Sequence, residues 1–516
     1  MKPLVILVSA VLCALPASAT ISGPVTVAGG QVSGIRGRDP AIEAFKGIPF
    51  AAPPLGNLRW RPPQPVTPWK GIRIADRYSA SCVQKIVAER KPFTYEFMAH
   101  NEISEDCLYL NVWTPAKTAA ERLPVFVFIH GGGFNEGSAA VPILDGEGLA
   151  KKGLVVVVIN YRLGVLGSLA HPELTSESPG KTSGNYGLLD QVAALQWVRD
   201  NITQFGGDPA KVTIAGQSAG AISVNALTAS PLARGLMIRA ISESGASLDG
   251  GVGAAGTSLV QAERLGVAFA AAKGAKSIAD LRATPLQKLI LPVPGGAHPV
   301  HMIVDGGFLP LSTAATYAEG QQNDVATITG WNKDEGGAMP IPTVTAVAFR
   351  NQARRKYGDR AAEFLKLYPA GTDAQARLSQ NSSVRDEQRV STYLWARLRA
   401  KASKTPAWIY YWDHTLPGPD AAFYGAFHAT EEPYVLNTLF SAPQRHFTDT
   451  DRTIADQMSS YWANFAASGD PNGKGLPAWR AVSDKPETME LGDKPGPIAV
   501  AGSQAKFAFW EMLLTR

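Results

Sequence analysis

The chain has 516 residues, of which 45% are hydrophobic and 18% are charged, and this balance excludes a largely disordered protein. Lysine and arginine number 49 against 44 for aspartate and glutamate, which gives a net charge of +5. So small an excess over this length, without a dense basic run, argues against a nucleic-acid-binding protein.

The N-terminus has the pattern of an export signal. Lys2 precedes an apolar run from residue 4 to residue 15, and a stretch of small residues ends at Ala19, after which cleavage is expected. The run is shorter than the roughly 20 apolar residues that a transmembrane helix needs. A lipoprotein signal on Cys13 is the alternative, although the preceding residue is leucine rather than a small one. We therefore expect a signal peptide at 1–19, an exported protein (periplasmic or secreted) and no stable membrane insertion.

The cysteine content agrees with export. If Cys13 leaves with the signal, Cys82 and Cys107 remain, and two cysteines in an oxidising compartment are expected to pair. The closed loop of about 26 residues would contribute roughly 3.5 kcal/mol when treated by chain entropy. Two unpaired buried thiols are the alternative. A zinc site is not expected, because neither cysteine has a histidine or cysteine at ligand spacing.

Predicted strands alternate with predicted helices from residue 125 onwards. The strands predicted at 125–129 and 154–160 are apolar throughout, as is typical of strands that are covered on both faces. A helix is predicted over 188–205, then a strand at 211–215 and a helix that ends near Thr228. Later strands are predicted at 238–243, 325–329 and 408–412. This alternation predicts an α/β fold with a mostly parallel sheet.

The chain shows no internal repeat and no long linker, so one domain is predicted over residues 20–516. Two stretches, near 250–300 and 337–405, lack the alternation and are predicted to be mainly helical insertions. We expect them to cover the carboxyl ends of the strands, where ligands bind in open α/β sheets. Together with loop residues such as Phe134, they are expected to line the substrate pocket.

The strongest catalytic signal is the pentapeptide GQSAG at 216–220. It lies between a predicted strand and a predicted helix, which is the context that a G-x-S-x-G nucleophile elbow needs. The turn is so tight that the residues flanking Ser218 must be small, and Gly216 and Gly220 meet this need. Ser218 is therefore predicted to be a nucleophile at the positive end of the following helix. A serine hydroxyl is a poor nucleophile unless a base takes its proton.

A second motif, HGGGF at 130–134, directly follows a predicted strand. Successive glycines allow backbone N–H groups to turn towards a developing oxyanion. The expected donors are the N–H groups of Gly132, Gly133 and Ala219. A plain glycine turn is the alternative, and the presence of both motifs in this order disfavours it.

The acid and the base are expected later in the chain, in the order serine, acid, histidine. His428 is favoured as the base because it lies in a loop after the strand predicted at 408–412. For the acid, Asp334 and Glu335 both follow the strand predicted at 325–329 and qualify by position alone. The other histidines after the elbow are His298, His301, His414 and His446.

Several longer strings along the chain are distinctive: FKGIPF at 45–50, RWRPP at 59–63, SEDCLYLNVWTP at 104–115, SGNYGLLD at 183–190 and FGGDP at 205–209. They resemble the type-B carboxylesterase family, which includes cholinesterases, liver carboxylesterases and bacterial para-nitrobenzyl esterases. The resemblance extends nearly from end to end, and it implies an α/β-hydrolase fold with helices on both faces of the sheet and helical cap insertions. It also implies a small-molecule ester as substrate.

The resemblance also implies the roles of individual residues. The family's Asp-Glu-Gly motif makes Glu335 the acid of a triad and leaves Asp334 as a solvated loop residue. The Gly-x-x-His-x-x-Glu segment of the family is matched by Gly425, His428 and either Glu431 or Glu432, and it makes His428 the base that serves Ser218. No metal or organic cofactor is required for this chemistry.

Two departures from the family argue against a cholinesterase. Gln217 stands where many members have glutamate before the nucleophile, so a negative charge that would favour a cationic alcohol is missing. The loop between Cys82 and Cys107, where the family has its first disulfide, contains no tryptophan. Cholinesterases offer that residue to a quaternary ammonium through a cation–π contact.

The leading hypothesis is an exported serine hydrolase that cleaves carboxylic esters through an acyl-enzyme intermediate. The same triad can serve amide, carbamate, thioester or lactone bonds, and the sequence leaves these open. A non-catalytic adhesion protein on the same scaffold, as neuroligins are, is disfavoured because such proteins typically lack the nucleophile. No heptad or long exposed apolar stripe appears, so the sequence assigns no oligomeric state.

Overall fold

A central sheet of eleven strands organises the part of the chain that the computed structural model describes, residues 21, 23–246, 256–293 and 302–515. The predicted signal peptide at 1–19 lies outside the described residues. The strands of the sheet are β1 (Ile35–Arg36), β2 (Glu43–Pro49), β3 (Tyr109–Thr114), β4 (Leu123–Ile129), β5 (Val155–Ile159), β6 (Gly207–Gln217), β7 (Arg239–Glu243), β8 (Ala326–Asn332), β9 (Ala407–Trp412), β10 (Glu487–Leu491) and β11 (Gly496–Ala499).

The strand order across the sheet is β11-β10-β9-β8-β7-β6-β4-β5-β3-β2-β1. Every pairing from β5 across to β10 is parallel, and the edges, β3-β2-β1 on one side and β11 on the other, pair antiparallel. This confirms the predicted α/β fold with a mostly parallel sheet. The order also places the carboxyl ends of β6, β7, β8 and β9 side by side along one edge.

Strand β4 shows why the central strands read as uniformly apolar. Val125 and Val127 belong to the hydrophobic core on one face of the sheet, whereas Phe126 and Phe128 belong to the core on the other. All four side chains are fully buried. Both faces of β4 are therefore covered, as is expected for a parallel strand.

Strand β2 carries an irregularity where it pairs with β3. The register shifts between Phe45 and Ile48, so that Lys46 and Gly47 lie opposite the single residue Asn111. Gly47 has a φ of +75°, and its N–H donates to Oδ1 of Asn111 at 2.9 Å. A positive φ is easily reached only by glycine, which explains the residue at the bulge.

Helices cover both faces of the sheet. The longer ones are α1 (Tyr186–Asn201), α2 (Ala219–Ala229), α3 (Leu259–Ala272), α4 (Ala346–Tyr357), α5 (Ala361–Leu367), α6 (Asp373–Ala402), α7 (Asp449–Ser468) and α8 (Gln504–Leu514). Shorter helical segments are Glu147–Ala150, Gly164–Ser168, Pro172–Glu177, Ile278–Ala283, Leu286–Leu289, Thr313–Ala318, Ala421–Tyr424 and Glu432–Val435. Within the described ranges, no helix is both long and apolar enough to cross a bilayer.

The two stretches without strand–helix alternation are mainly helical where they are described. The first holds α3, and the second holds α4, α5 and α6. Helix α6 packs against β8, β9 and α8, and Val390 and Leu394 share a core with Ile409 of β9. This part of 337–405 therefore belongs to the helical layer on one face of the sheet.

The disulfide between Cys82 and Cys107 is present, with the two Cα atoms 5.0 Å apart. This confirms the pairing expected from the cysteine count. The loop that it closes carries a short 3₁₀ helix, Tyr95–Phe97, and returns to the sheet at β3. Both of its ends are therefore fixed.

Candidate active site

Ser218 lies on a strained turn between β6 and α2. Its φ of 57° and ψ of −122° are unusual for a residue with a side chain. A Cβ atom at Gly220 would lie 2.0 Å from the carbonyl oxygen of Ile129, and one at Gly216 would lie 2.6 Å from the backbone of Gly220. Only glycine fits at positions 216 and 220, two residues before and after the serine, as predicted from the motif.

Glu335 and His428 form a hydrogen-bonded pair beyond the carboxyl ends of β8 and β9. Nδ1 of His428 donates to Oε2 of Glu335. The other oxygen of Glu335 accepts from the hydroxyl of Ser244 at 2.8 Å and from the N–H of Asn332 at 2.7 Å. Three donors thus fix a carboxylate that is only 5% exposed.

The environment of His428 favours its protonated form. Burial lowers the pKa of the imidazole, but the charge of Glu335 and its hydrogen bond outweigh burial, and the net result is a raised pKa. A histidine held in this way is oriented and can store a proton as an imidazolium ion.

Ser218 and His428 line the same cavity, which has a volume of about 440 Å³. In the described part of the chain, the imidazole hydrogen-bonds with Glu335 and Gln217, and the Ser218 hydroxyl makes no hydrogen bond with it. Catalytic hydrogen bonds are often long before substrate binds. The lining comprises Gln84, Arg90, Phe93, Phe97, Met98, Ala99, His130, Gly131, Gly132, Gly133, Asn135, Glu136, Gly137, Val141, Leu144, Gln217, Ser218, His428, Ala429 and Glu432.

The glycine turn after β4 borders this cavity. Gly132 and Gly133 have φ values of 106° and 59°, and a Cβ at Gly132 would lie 2.1 Å from the carbonyl oxygen of Glu136. Neither N–H donates to a residue that the structure describes, so both are available to a ligand. Ala219 begins α2, where the first N–H groups of a helix lack partners within the helix.

His130 anchors that turn. Its ring stacks on Tyr161 with centroids 4.4 Å apart, and the Tyr161 hydroxyl donates to the His130 carbonyl at 2.8 Å. Burial lowers the pKa of His130 to about 4, so its imidazole is neutral at physiological pH. The neutral ring packs on Tyr161 at the start of the glycine turn.

The other candidate histidines lie elsewhere. His414 sits between Asp451 and Asp493, with ring–carboxylate distances of 2.9 and 2.6 Å, and His446 is exposed. His298 and His301 lie outside the described residues. Among the described histidines that follow the elbow, His428 is the one that shares a cavity with Ser218.

Two expectations from the sequence are wrong. Asp334 is not a solvated loop residue: its side chain is 5% exposed, pairs with Arg385 at 2.6 Å and accepts from the N–H of Ala426 at 2.9 Å. Phe134 is buried and is not among the described lining of the cavity. The described walls come mainly from the segment 130–144 after β4 and from the loop between Cys82 and Cys107, and no described residue of the predicted insertions lines them. Residues 250–255 and 294–300 of the first predicted insertion lie outside the described residues.

Sequence reasoning missed the buried polar residues that lie near the Glu335–His428 pair. Ser244 has a φ of 55°, which turns it towards Glu335, and it follows Glu243 at the end of β7. Burial raises the pKa of Glu243, Glu431 and Glu432, and the charges of neighbouring carboxylates add to this effect. The only local signal is a polar SES string at the end of a buried strand.

The chain is similar to known proteins along nearly its whole length. The profile of the carboxylesterase family matches residues 22–510. The chain belongs to the carboxylesterase family. Fumonisin B1 esterase of Sphingopyxis macrogoltabida is 36% identical over 501 residues, which cover 94% of this chain and 89% of that protein.

Two vertebrate relatives align over similar lengths. Human cocaine esterase is 32% identical, over 94% of this chain and 90% of that protein. A precursor of the medium-chain fatty acyl-CoA hydrolase of Anas platyrhynchos is 34% identical, over 95% and 91%. Membership confirms the resemblance and the α/β-hydrolase fold, and it identifies this carboxylesterase-family chain as a carboxylic-ester hydrolase.

Proposed function

We propose that the protein is an exported serine esterase in which Ser218 is the nucleophile, His428 the general base and Glu335 the residue that orients the imidazole. The observation that carries this proposal is the Glu335–His428 pair, which faces a cavity that also contains the strained Ser218 turn. The order along the chain, serine, acid, histidine, fits the α/β-hydrolase pattern.

The reaction would proceed in two steps. The Ser218 hydroxyl attacks the ester carbonyl while Nε2 of His428 takes its proton, and the same proton is then donated to the leaving alcohol. Water then attacks the acyl-enzyme, with His428 again as base, and releases the acid. The N–H groups of Gly132, Gly133 and Ala219 would stabilise the oxyanion in both steps, and each donor is worth about 3–4 kcal/mol of barrier.

The cavity favours an uncharged ester. Among its described lining residues, the guanidinium of Arg90 is paired with Glu136, so neither charge is free. Burial raises the pKa of Glu432, which favours its neutral form. Phe93, Phe97 and Met98 add apolar wall, and an apolar acyl or alcohol group would gain about 25 cal/mol per Å² that it buries there.

A thioester is a second candidate substrate class. The observation in its favour is the similarity to the fatty acyl-CoA hydrolase precursor, whose name describes a thioester substrate. The proposed triad and oxyanion donors act on the acyl carbonyl, which both bond types share.

Export is supported by the disulfide, since disulfides persist in oxidising compartments.

The test is hydrolysis of para-nitrophenyl esters of increasing acyl length by residues 20–516 and by the Ser218→Ala variant. We expect turnover by the parent protein and a loss of roughly 10⁴-fold or more in kcat for Ser218→Ala and for His428→Ala. Ser176→Ala, at an exposed serine, is the control and should keep full activity. Near-normal turnover by a folded Ser218→Ala variant would remove the proposal.

A further inference from the structure

A buried ion pair joins the loop between Cys82 and Cys107 to the segment that follows His428 in the chain. Nε of Arg445 donates to Oε1 of Glu96 at 2.5 Å, and Glu96 is only 1% exposed. The second oxygen of Glu96 accepts from the amide of Gln444 at 2.8 Å. The carboxylate is therefore held by two residues from a distant part of the chain.

The guanidinium of Arg445 links its own segment to two others, the loop that contains Thr94 and Glu96 and the stretch that contains Pro417. Besides Glu96, it donates to the hydroxyl of Thr94 at 2.7 Å and to the carbonyl of Pro417. Pro417 lies between β9 and His428, so the contact reaches the loop that carries the proposed base. A lysine could not make these contacts together, because it lacks the planar fork of donors.

The residues beside Glu96 form an aromatic wall of the cavity. Phe93 and Phe97 line the cavity, and their rings lie 5.9 and 6.1 Å from the ring of Phe427. Phe427 precedes His428 directly. The aromatic wall thus packs against the residue that precedes the proposed base. Glu96, which lies between Phe93 and Phe97 in the chain, is in turn held by Arg445.

Stability alone does not account for an ion pair at this place. Burying two charges is costly, and replacing such a pair with apolar residues is often neutral or stabilising. What a forked, hydrogen-bonded pair adds is a defined geometry between the segments that it joins.

We propose that Glu96 and Arg445 are positioning residues that set the substrate size selectivity of the cavity by fixing its aromatic wall relative to His428. The inference rests on the proposed esterase function. Ester groups long enough to reach Phe93 and Phe97 depend on the fixed wall, whereas an acetyl ester of a small alcohol does not reach it.

The test compares the parent protein with Glu96→Met/Arg445→Met, in which two apolar side chains replace the pair so that no buried charge is left alone. Two ester series are measured: para-nitrophenyl acetate to benzoate, and methyl acetate to benzyl acetate. We expect kcat/KM for the bulky member of at least one series to fall about tenfold relative to the small member, the scale of apolar pocket discrimination. Methyl acetate, which is small on both the acyl and the alcohol side, should stay within about twofold of the parent.

Two further variants separate positioning from general loosening. Arg445→Lys keeps the charge but not the fork, and it should give an intermediate loss of selectivity. Lys91→Met removes an exposed pair with Asp420, at 2.5 Å, that links the same loop to the segment before His428, and it should change nothing, because exposed pairs contribute little. Melting temperatures of all variants report whether the fold is retained.

A folded double variant whose activity falls equally on small and bulky esters, or not at all, would overturn the inference. So would a loss of selectivity in Lys91→Met as large as that in the double variant. If the parent protein hydrolyses no ester in either series, the proposed function fails, and the inference fails with it. That outcome differs from the others because it appears in the unmodified chain.

Discussion

The amide nitrogen of Gln217 lies 3.2 Å from Nε2 and 3.4 Å from Nδ1 of His428. The side chain next to the proposed nucleophile therefore contacts the imidazole directly. Because this amide is neutral, the charge that bears most strongly on the ring is that of Glu335. The pH response of the enzyme should accordingly be sensitive to a charge at position 217.

We expect Gln217→Glu to raise the pKa of His428. A carboxylate at this place stabilises the imidazolium ion, and a base that is protonated cannot accept the proton of Ser218. The acidic limb of the kcat/KM profile should move to higher pH. Gln217→Met removes the amide without adding charge and serves as the control. An acidic limb that stays in place in Gln217→Glu would show that the side chain does not reach the ring.

We expect Glu335→Gln to reduce kcat by about 10³–10⁴-fold, because the imidazole loses the charge and the acceptor that orient it. Asp334→Asn is the matched control one residue away. Asp334 pairs with Arg385 and holds the N–H of Ala426, so its loss should lower the free energy of unfolding by about 1–3 kcal/mol and leave kcat within about tenfold. Equal losses of kcat in the two variants would contradict the assignment of the acid.

Ser218, Asp334 and Glu335 show which parts of the candidate site can be predicted from the sequence. The turn at Ser218 is local: two glycines beside a serine, between a strand and a helix, specify it without tertiary information. By contrast, position along the chain does not separate Asp334 from Glu335. Strand β8 and the buried donors Ser244 and Asn332 select the second carboxylate, and these contacts span up to 91 residues.

The walls of the cavity could not be predicted for a related physical reason. The loop between Cys82 and Cys107 is largely irregular, so no periodicity tells which side chains face inward. Phe93 and Phe97 reach the cavity because Glu96 between them is anchored to Arg445, almost 350 residues later. Such an anchor leaves no local pattern in the sequence.

Glu431 should make the stability of the protein fall as pH rises. Burial, with the charge of Glu335, raises the pKa of Glu431 to about 7, against 4.5 for the same group in an unfolded chain. Between these values the unfolded state loses the proton and the folded state keeps it, so deprotonation favours unfolding. The resulting loss of stability grows from pH 4.5 to about 7 and is then constant.

Glu431→Gln should remove this dependence, because the amide is neutral at every pH. Its melting temperature should exceed that of the parent by several degrees at pH 8 and match it near pH 5. The exposed Glu102→Gln is the control and should track the parent throughout. A constant difference between Glu431→Gln and the parent from pH 5 to pH 8 would show that Glu431 does not titrate in this range.

Removal of the disulfide should lower the stability of the protein. Cys82 and Cys107 are 25 positions apart, and opening a loop of this size costs roughly 3.5 kcal/mol when treated by chain entropy. The loop remains tied down by Glu96, so Cys82→Ala/Cys107→Ala should still fold. Its unfolding midpoint in urea should fall, while the slope changes little.

Reductant distinguishes this effect from a packing defect at the substituted sites. Treating the parent protein with a thiol reductant should lower its midpoint towards that of the double variant, and the same treatment should leave the variant unchanged. If the variant is less stable but reductant does not affect the parent, the loss comes from the missing side chains.

If the bridge acts only on the unfolded chain, it stabilises the protein without altering ester selectivity. A shift in selectivity like that expected for Glu96→Met/Arg445→Met would instead mean that bridge and ion pair hold the same wall.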